Sequence, residues 1–163
     1  MASAGVLVYR IVKGELEVLL ARPGGPYYAN KDEGIWGIPK GIIDMDEDAF
    51  TAALRELEEE TGIVAEPSEV KLYLGTIITR SGKVIHAWAY KYDYNTNQPV
   101  KSNLCTITWP PGATTQVEIP EIDRLEYFTL RAAKVKIYPL QFAFLERLTE
   151  FLQIPIASDT AIV

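Results

Sequence analysis

The 163-residue sequence contains a single cysteine and a single histidine. An internal disulfide needs two cysteines, so a disulfide-stabilised scaffold is excluded, and we expect a reducing, cytoplasmic location. A zinc site with several Cys and His ligands is excluded as well, because His86 and Cys105 supply only two such groups.

Long apolar runs and an excess of basic residues are also missing. No apolar run approaches the roughly 20 residues of a membrane span, so we expect no contact with a membrane. The apolar first nine residues have no basic segment before them, so we predict no signal peptide. The net charge is −6. Nucleic-acid binders carry clustered lysine and arginine, so nucleic acid is not an expected partner.

The composition that is present is typical of one globular domain. Hydrophobic residues make up 48% and charged residues 23% of the chain, which argues against disorder and against coiled coil. The length fits a single domain. We predict this domain over residues 1–155 and a C-terminal tail over residues 156–163, and nothing in the sequence predicts an oligomeric state.

Hydrophobic patterning predicts a mixed α/β class, with strands before and after a central helix. The predicted strands cover residues 4–12, 17–21, 70–78, 83–92, 106–109 and 122–128. The predicted helices cover residues 47–61, 129–135 and 139–152. In the last helix we expect a core face that includes Leu140 and Leu148. The central helix is predicted to start at a cap from Asp44 or Asp46 and to end at Gly62.

Acidic residues are concentrated around this central helix. Residues 41–63 hold eight acidic residues and one arginine, so the segment carries the whole charge imbalance of the chain. On a helical wheel, Glu56, Glu59 and Glu60 share one face, which we expect at the exposed edge of the helix. The neighbouring stripe is apolar and is predicted to face the core; it consists of Phe50, Ala53, Leu54 and Leu57.

Three carboxylates on one face favour a divalent cation. Like charges at these spacings repel one another, and next to a packed core one of them would have to bind a proton. Carboxylate oxygens suit Mg²⁺, or Mn²⁺, which share their ligands with waters and substrate phosphates. The alternative for the spacing alone is a solvated acidic helix face.

The residues around the three carboxylates follow a specific pattern. Residues 41–63 match the signature G-x5-E-x7-R-E-U-x-E-E-x-G-U, where U is aliphatic, at every fixed position. This is the signature of the Nudix hydrolases, and the chain resembles that family over nearly its whole length. The resemblance implies the Nudix fold, a mixed β-sheet between α-helices. The matching residues are Gly41, Glu47, Arg55, Glu56, Leu57, Glu59, Glu60, Gly62 and Ile63.

The resemblance also implies the metal site and the chemistry. Glu59 and Glu60 are expected as metal ligands, Glu56 as a ligand or as the general base, and the carbonyl of Lys40 as a further ligand. The implied reaction is hydrolysis of a phosphoanhydride in a nucleoside diphosphate linked to another group. The cofactor is Mg²⁺, with Mn²⁺ as an alternative.

Other positions have supporting roles in this reading. Arg55 is expected to orient Glu56 and to act in catalysis with it, and Glu47 to support the site, through Arg55. Many members of the family add an acid from a later loop, for which Glu118 and Glu121 are the candidates. Their alternative role is surface charge before a strand.

The substrate is the least specified part of the prediction. Trp36-x-x-Pro39-Lys40-Gly41 resembles the dinucleoside polyphosphate hydrolases of the family, so a substrate such as diadenosine tetraphosphate is favoured. Nucleoside triphosphates, nucleotide sugars and capped RNA 5′ ends stay open, as does a nucleotide sensor without catalysis. Predicted substrate contacts are Lys40 and Arg22 to phosphate and Tyr27 or Tyr28 to a base.

Overall fold

The computed structural model describes residues 1–70 and 72–155. The predicted tail over residues 156–163 lies outside the described residues. The strands are β1 (Ala2–Val12), β2 (Glu15–Pro23), β3 (Lys40–Ile42), β4 (Leu72–Ile78), β5 (Val84–Lys91), β6 (Leu104–Thr108), β7 (Gln116–Pro120) and β8 (Ile122–Thr129). The helices are α1 (Ala49–Thr61), α2 (Leu130–Lys136) and α3 (Phe142–Leu152), with short 3-10 turns at Pro26–Tyr28, Pro67–Glu69 and Pro139–Gln141.

The main sheet is mixed and has six strands. Its order is β4-β5-β1-β2-β8, and β3 pairs with one end of β1. Strands β1 and β5 are parallel, whereas the other pairs in this sheet are antiparallel. Strands β6 and β7 form a separate antiparallel hairpin. The predicted mixed α/β class is confirmed.

The two faces of the sheet are covered by different helices. Because side chains alternate along a strand, Leu7 and Leu20 face the layer of α2 and α3, where they pack with Phe144. Val6 on β1 faces the opposite layer and packs with Leu57 of α1. The sheet is therefore sandwiched between helices, as expected. None of the helices in the described part of the chain is long and apolar enough to cross a bilayer.

Helix α1 begins two residues later than predicted. Its cap is Asp48, whose carboxylate accepts a hydrogen bond from the Thr51 amide at 2.8 Å. The predicted caps Asp44 and Asp46 are wrong, because both lie in the turn before the helix. The predicted end is confirmed: Gly62 adopts φ 79°, and its amide donates to the Glu58 carbonyl, as in a typical helix C-terminus.

Two further predictions near the C-terminal half are corrected. Leu140 does not join the core, because it lies in the 3-10 turn before α3 and is 45% exposed. Leu148 is fully buried as expected. Strand β7 was not predicted, since Glu118 and Pro120 lower the strand propensity of this segment, although its pairing with β6 forms a regular hairpin.

Candidate metal and catalytic site

Strand β3 holds the backbone of Lys40 and Gly41 beside helix α1. Gly5 and Ala4 of β1 pair with Lys40 and Gly41, respectively. Gly41 is required at this position: a Cβ atom there would lie 2.0 Å from the carboxyl carbon of Glu56. The carboxylate of Glu56 therefore rests directly on the backbone of β3, which only glycine permits.

Glu60 lies one turn further along α1 and faces the same strand. Its carboxylate accepts a hydrogen bond from the Lys40 amide at 3.0 Å. Burial and the neighbouring Glu56 carboxylate raise the pKa of Glu60 to about 8, and Glu121 adds to the rise. Burial disfavours a charged carboxylate and so does a second negative charge. Glu60 is therefore suited to binding either a proton or a cation at neutral pH.

The carboxylates are less exposed than the helical wheel predicts. Glu56 and Glu60 keep only 9% and 8% of their surface, so the expectation of an exposed edge is wrong for both. The cause is β3, which covers this side of α1. Burial also raises the pKa of Glu56, and the Arg55 guanidinium opposes that rise.

Arg55 connects most of the acidic groups of the site. Its Nε and one terminal nitrogen donate to the two oxygens of Glu47 at 2.8 and 2.9 Å. The other terminal nitrogen donates to Glu56 at 2.9 Å, and a further bond reaches the Ile42 carbonyl at 3.0 Å. These charge-assisted bonds lower the pKa of Glu47 to about 2 and raise that of Arg55. The predicted contacts of Arg55 with Glu47 and Glu56 are present.

Glu59 is the most solvent-accessible of the three carboxylates. It accepts hydrogen bonds from Arg55 at 3.2 and 3.3 Å, and its side chain is 38% exposed. Within residues 1–70 and 72–155, no three acidic, His or Cys side chains converge tightly enough to form a complete metal cage. The observed donor set instead consists of carboxylates of α1 beside the backbone of β3.

This donor set fits a cation that is only partly enclosed by protein. Mg²⁺ is commonly bound through one or two carboxylates and completes its shell with waters and substrate phosphates. Glu56 and Glu60 provide two buried oxygen ligands against the Lys40–Gly41 backbone. Burial raises the pKa of both groups, so a nearby cation would stabilise their charged forms. The residues present therefore fit a hard divalent cation.

The two candidate acids from later in the chain are not equivalent. Glu121 lies close enough to raise the pKa of both Glu56 and Glu60. It follows β7, and its amide donates to the Asn103 carbonyl at 3.0 Å. Glu118 is exposed on β7 opposite Thr106 and contributes to neither shift. Of the two, Glu121 is therefore the stronger candidate for the additional acid, whose role stays a prediction.

Arg22 lies on the face of the sheet opposite to the acidic helix α1. Its position on β2 points to the same side as Leu20, the layer of α2 and α3. The buried guanidinium binds Asp123 at 2.8 Å and the Lys31 carbonyl at 2.8 Å. These bonds hold the loop after β2, and the phosphate contact of Arg22 stays a prediction.

The two tyrosines of this loop lie in the 3-10 turn. The Tyr27 and Tyr28 rings meet edge to face at 4.8 Å, and the Lys31 ammonium lies 3.7 Å from the centre of the Tyr27 ring. Tyr27 is 54% exposed. Tyr28 is partly buried, and this burial raises the pKa of its hydroxyl. Tyr27 is thus the more accessible of the two for a base.

Two contacts that shape the site were absent from the sequence prediction. Gly5 lies so close to the strand before Gly41 that a Cβ would be 2.4 Å from the Pro39 carbonyl oxygen. The Ile42 carbonyl accepts from Arg55. Neither contact has a local sequence signal, because a backbone carbonyl is present in every residue and Gly5 is distant in sequence from Pro39.

Comparison with known proteins identifies the family. The model of the NUDIX domain matches residues 1–148. The chain belongs to the Nudix family. Two solved structures show the same fold. A Caenorhabditis elegans Ap4A hydrolase binary complex has a TM-score of 0.66 and 22% identity, covering 93% of this chain and 98% of that chain. The NUDIX domain of Shewanella oneidensis NrtR with ADP ribose has a TM-score of 0.64 and 19% identity, covering 93% of this chain and 88% of that chain.

Curated relatives of this Nudix chain are similar over shorter stretches. Nudix hydrolase 7 of Arabidopsis thaliana is 41% identical over 70 residues, covering 43% of this chain and 23% of the relative. The asymmetrical bis(5′-nucleosyl)-tetraphosphatase of Caenorhabditis elegans is 38% identical over 64 residues, covering 39% and 42%. The RNA pyrophosphohydrolase of Dinoroseobacter shibae is 60% identical over 35 residues, covering 22% of each chain. The matches span less than half the length of these relatives.

Proposed function

We propose that this Nudix protein is a divalent-metal-dependent hydrolase of a phosphoanhydride bond in a nucleoside diphosphate derivative. The observation that carries the proposal is the pair of buried carboxylates, Glu56 and Glu60, held against the Lys40–Gly41 backbone with raised pKa values. Two such groups side by side are stabilised by a cation, and that cation can be shared with a diphosphate. All of the carboxylate positions of the signature are occupied, which favours catalysis over a sensor that only binds a nucleotide.

The residues that would hold the cation are Glu56, Glu60 and the Lys40 carbonyl, with Glu59 as an outer ligand. When bound, Mg²⁺ neutralises phosphate oxygens and lowers the pKa of the attacking water. Mn²⁺ prefers similar oxygen ligands and is the alternative metal.

The chain's own side chains supply positioning and proton transfer. Glu56 is proposed either as a ligand or as the base that takes the proton of the attacking water. Arg55 fixes the Glu56 carboxylate by a 2.9 Å hydrogen bond and is itself fixed by two bonds to Glu47. Glu121 supplies further negative charge near both glutamates. It is proposed as a second acid at the site.

A dinucleoside polyphosphate is the favoured substrate. The support is the Trp36-x-x-Pro39-Lys40-Gly41 sequence together with the similarity to the Caenorhabditis elegans tetraphosphatase. The Lys40 side chain is only partly buried beside the carboxylates and is proposed to contact a phosphate. Tyr27 is proposed to contact a base. The similarity to RNA pyrophosphohydrolases supports a triphosphorylated RNA 5′ end as the second candidate.

Product analysis distinguishes these substrates. The protein is incubated with Mg²⁺ and, separately, with diadenosine tetraphosphate, ATP, ADP-ribose, a nucleotide sugar and a short 5′-triphosphorylated RNA, and the products are separated by chromatography. We expect diadenosine tetraphosphate to be cleaved fastest, with ATP among the products. Faster cleavage of the RNA would replace this substrate by the second candidate. The absence of metal-dependent cleavage of every member would contradict the proposed hydrolase.

A further inference from the structure

The segment that leads into the candidate metal site is held by a defined set of hydrogen bonds. The Trp36 amide donates to the Lys136 carbonyl, and the Gly37 amide donates to the Ala21 carbonyl, both at 3.0 Å. The Pro39 carbonyl accepts from Val6 at 3.1 Å. These backbone bonds attach the segment to α2 and to the sheet.

The amide of Ile38 is bound by a side chain from the layer of α2 and α3, on the face of the sheet opposite to α1. The Ile38 amide donates to Gln141 Oε1 at 2.9 Å. Gln141 lies at the start of α3 and is 6% exposed, and Ile38 is 3% exposed. Because both groups are buried, water cannot readily replace this bond, and its loss leaves a buried donor without a partner.

Gly37 packs directly on the same glutamine amide. A Cβ atom at Gly37 would lie 2.9 Å from Gln141 Oε1 and 3.1 Å from Nε2. The backbone of Gly37 is not in the left-handed region, so the need for a glycine comes from this contact alone. The Gln141 amide is thus fixed from two sides, by the Ile38 amide and by the Gly37 α-carbon.

We propose that Gln141 is a positioning residue for the metal site. It binds the Ile38 amide and thereby fixes the backbone of Lys40, which lies next to Glu60. The inference rests on the proposed function, because it assigns the Lys40 carbonyl and Glu60 to the metal. Lys40 follows Ile38 by only two residues, and Pro39 between them has a restricted φ. A shift of Ile38 is therefore passed to the Lys40 amide, which binds Glu60.

The direct test compares Gln141→Met with Gln141→Glu. Methionine has a similar length but lacks the amide oxygen, whereas glutamate keeps an acceptor oxygen for the Ile38 amide. Binding of Mn²⁺ alone is measured by electron paramagnetic resonance on the full chain. We expect Gln141→Met to weaken Mn²⁺ binding by about tenfold, the lower end for loss of a group that orients a metal ligand. Gln141→Glu restores most of that affinity.

A second variant approaches the same contact from the other side. Gly37→Ala places a methyl group against the glutamine amide and is expected to weaken Mn²⁺ binding as well. If both substitutions act through one hydrogen bond, the Mn²⁺ affinity of the double variant is no lower than that of the single variant with the lower affinity. If the fold-losses in Mn²⁺ affinity of the two single variants instead multiply in the double variant, the substitutions act independently, and the proposed action through the Gln141–Ile38 hydrogen bond is overturned.

Thr149→Val is the matched control. Thr149 is also a buried polar residue of α3, but among the residues that the structure describes its hydroxyl donates to the Glu146 carbonyl of the same helix. We expect no change in Mn²⁺ affinity for this variant, whatever its melting temperature. Equal weakening in Thr149→Val, or unchanged affinity in Gln141→Met, overturns the proposal. If Gln141→Met does not fold, Gly37→Ala is compared with Thr149→Val instead, and unchanged Mn²⁺ affinity in Gly37→Ala overturns the proposal.

These measurements separate the inference from the proposed hydrolase. Wild-type protein that binds Mn²⁺ without hydrolysing any phosphoanhydride contradicts the hydrolase, while the Gln141 comparison can still be made on binding. In an active enzyme, Gln141→Met is expected to raise the Mg²⁺ concentration for half-maximal rate. The KM for nucleotide at saturating Mg²⁺ stays near that of the wild type. A rise in KM alone contradicts the positioning role.

Discussion

The carboxylate of Glu56 lies directly against the α-carbon of Gly41, with no space for a methyl group between them. This contact joins the first glycine of the signature to its central glutamate, fifteen positions later in the sequence. Arg55 holds the same carboxylate from the other side at 2.9 Å. Glu56 is therefore fixed between a backbone and a guanidinium, which is the geometry needed to direct a base or a ligand.

Gly41→Ala tests this contact. A Cβ atom at this position would overlap the Glu56 carboxyl group, so the side chain must move away from the site. We expect the hydrolytic rate to fall by about 100-fold, because a misplaced base or ligand loses most of its effect. The neighbouring Ile42→Ala is the control, since Ile42 is 50% exposed. Similar rates for both variants would contradict the argument.

Glu56→Gln separates the charge of the group from its shape. The amide can occupy the same space but can neither accept a proton from water nor bind a cation strongly. We expect a rate loss of about 100-fold or more, while the melting temperature at pH 8 is not lowered, because one of two adjacent buried carboxylates is removed. Glu58→Gln, on the exposed face of the same helix, serves as the control. Wild-type turnover by Glu56→Gln would refute the assigned role.

The stability of the metal-free protein is expected to fall as pH rises from about 5 to 8. The folded-state pKa of Glu60 is about 8, against an ordinary value of 4.5. Between these values the unfolded chain loses the proton and the folded chain keeps it, so rising pH favours unfolding. One such group changes the free energy of unfolding by at most about 1.4 kcal/mol per pH unit.

Urea unfolding at several pH values with a chelator measures this slope. Glu60→Gln is expected to reduce the slope strongly, leaving a smaller part from Glu56, whose pKa is also raised. Addition of Mg²⁺ at pH 8 is expected to stabilise the wild type more than the variant. Glu47, whose pKa is lowered to about 2, changes the pH dependence of stability only below this pH range. A stability that rises from pH 5 to 8 in the wild type would exclude a protonated Glu60.

Local patterns predicted the elements of the site but not their surroundings. Helix α1 and its end at Gly62 follow from residues that are adjacent in sequence. The start was misplaced because Asp44, Asp46 and Asp48 are equally good caps by residue type, and only the folded turn selects Asp48. The burial of Glu56 depends on β3, which reaches α1 through its pairing with β1.

The side on which a strand residue points also could not be predicted from local sequence. Arg22 directly precedes a glycine- and proline-rich loop, and its charge alone favoured a phosphate contact. The alternation along β2 places it with Leu20, on the face opposite to α1. Strand register sets this orientation and is determined by pairing with β8, where Arg22 lies opposite Arg124, more than 100 residues later in the sequence.

Leu57→Ala tests the packing of the acidic helix. Leu57 is fully buried in the layer between α1 and the sheet, so its truncation leaves a cavity. We expect a loss of about 2–5 kcal/mol in the free energy of unfolding. Leu54→Ala on the same helix is expected to cost less, because Leu54 is only partly buried. An unchanged melting temperature for Leu57→Ala would contradict the observed packing.

Arg55→Lys tests whether the forked geometry of the guanidinium matters beyond its charge. Arg55 binds both oxygens of Glu47 and one of Glu56 at the same time. A lysine keeps the positive charge but cannot reproduce these simultaneous bonds, so Glu56 loses its fixed orientation. We expect the rate to fall by about 10- to 100-fold, as for other groups that orient a metal ligand.

Arg147→Lys is the matched control for this substitution. Arg147 on α3 also donates two hydrogen bonds, at 2.9 and 2.8 Å, but to the Leu74 and Thr76 carbonyls of β4. The same chemical change there is expected to leave the rate close to that of the wild type, because these bonds of Arg147 go to β4 and not to the carboxylates of the site. A rate loss confined to Arg55→Lys attributes the effect to the orientation of Glu56. Equal losses in both variants would instead indicate a general effect on the fold.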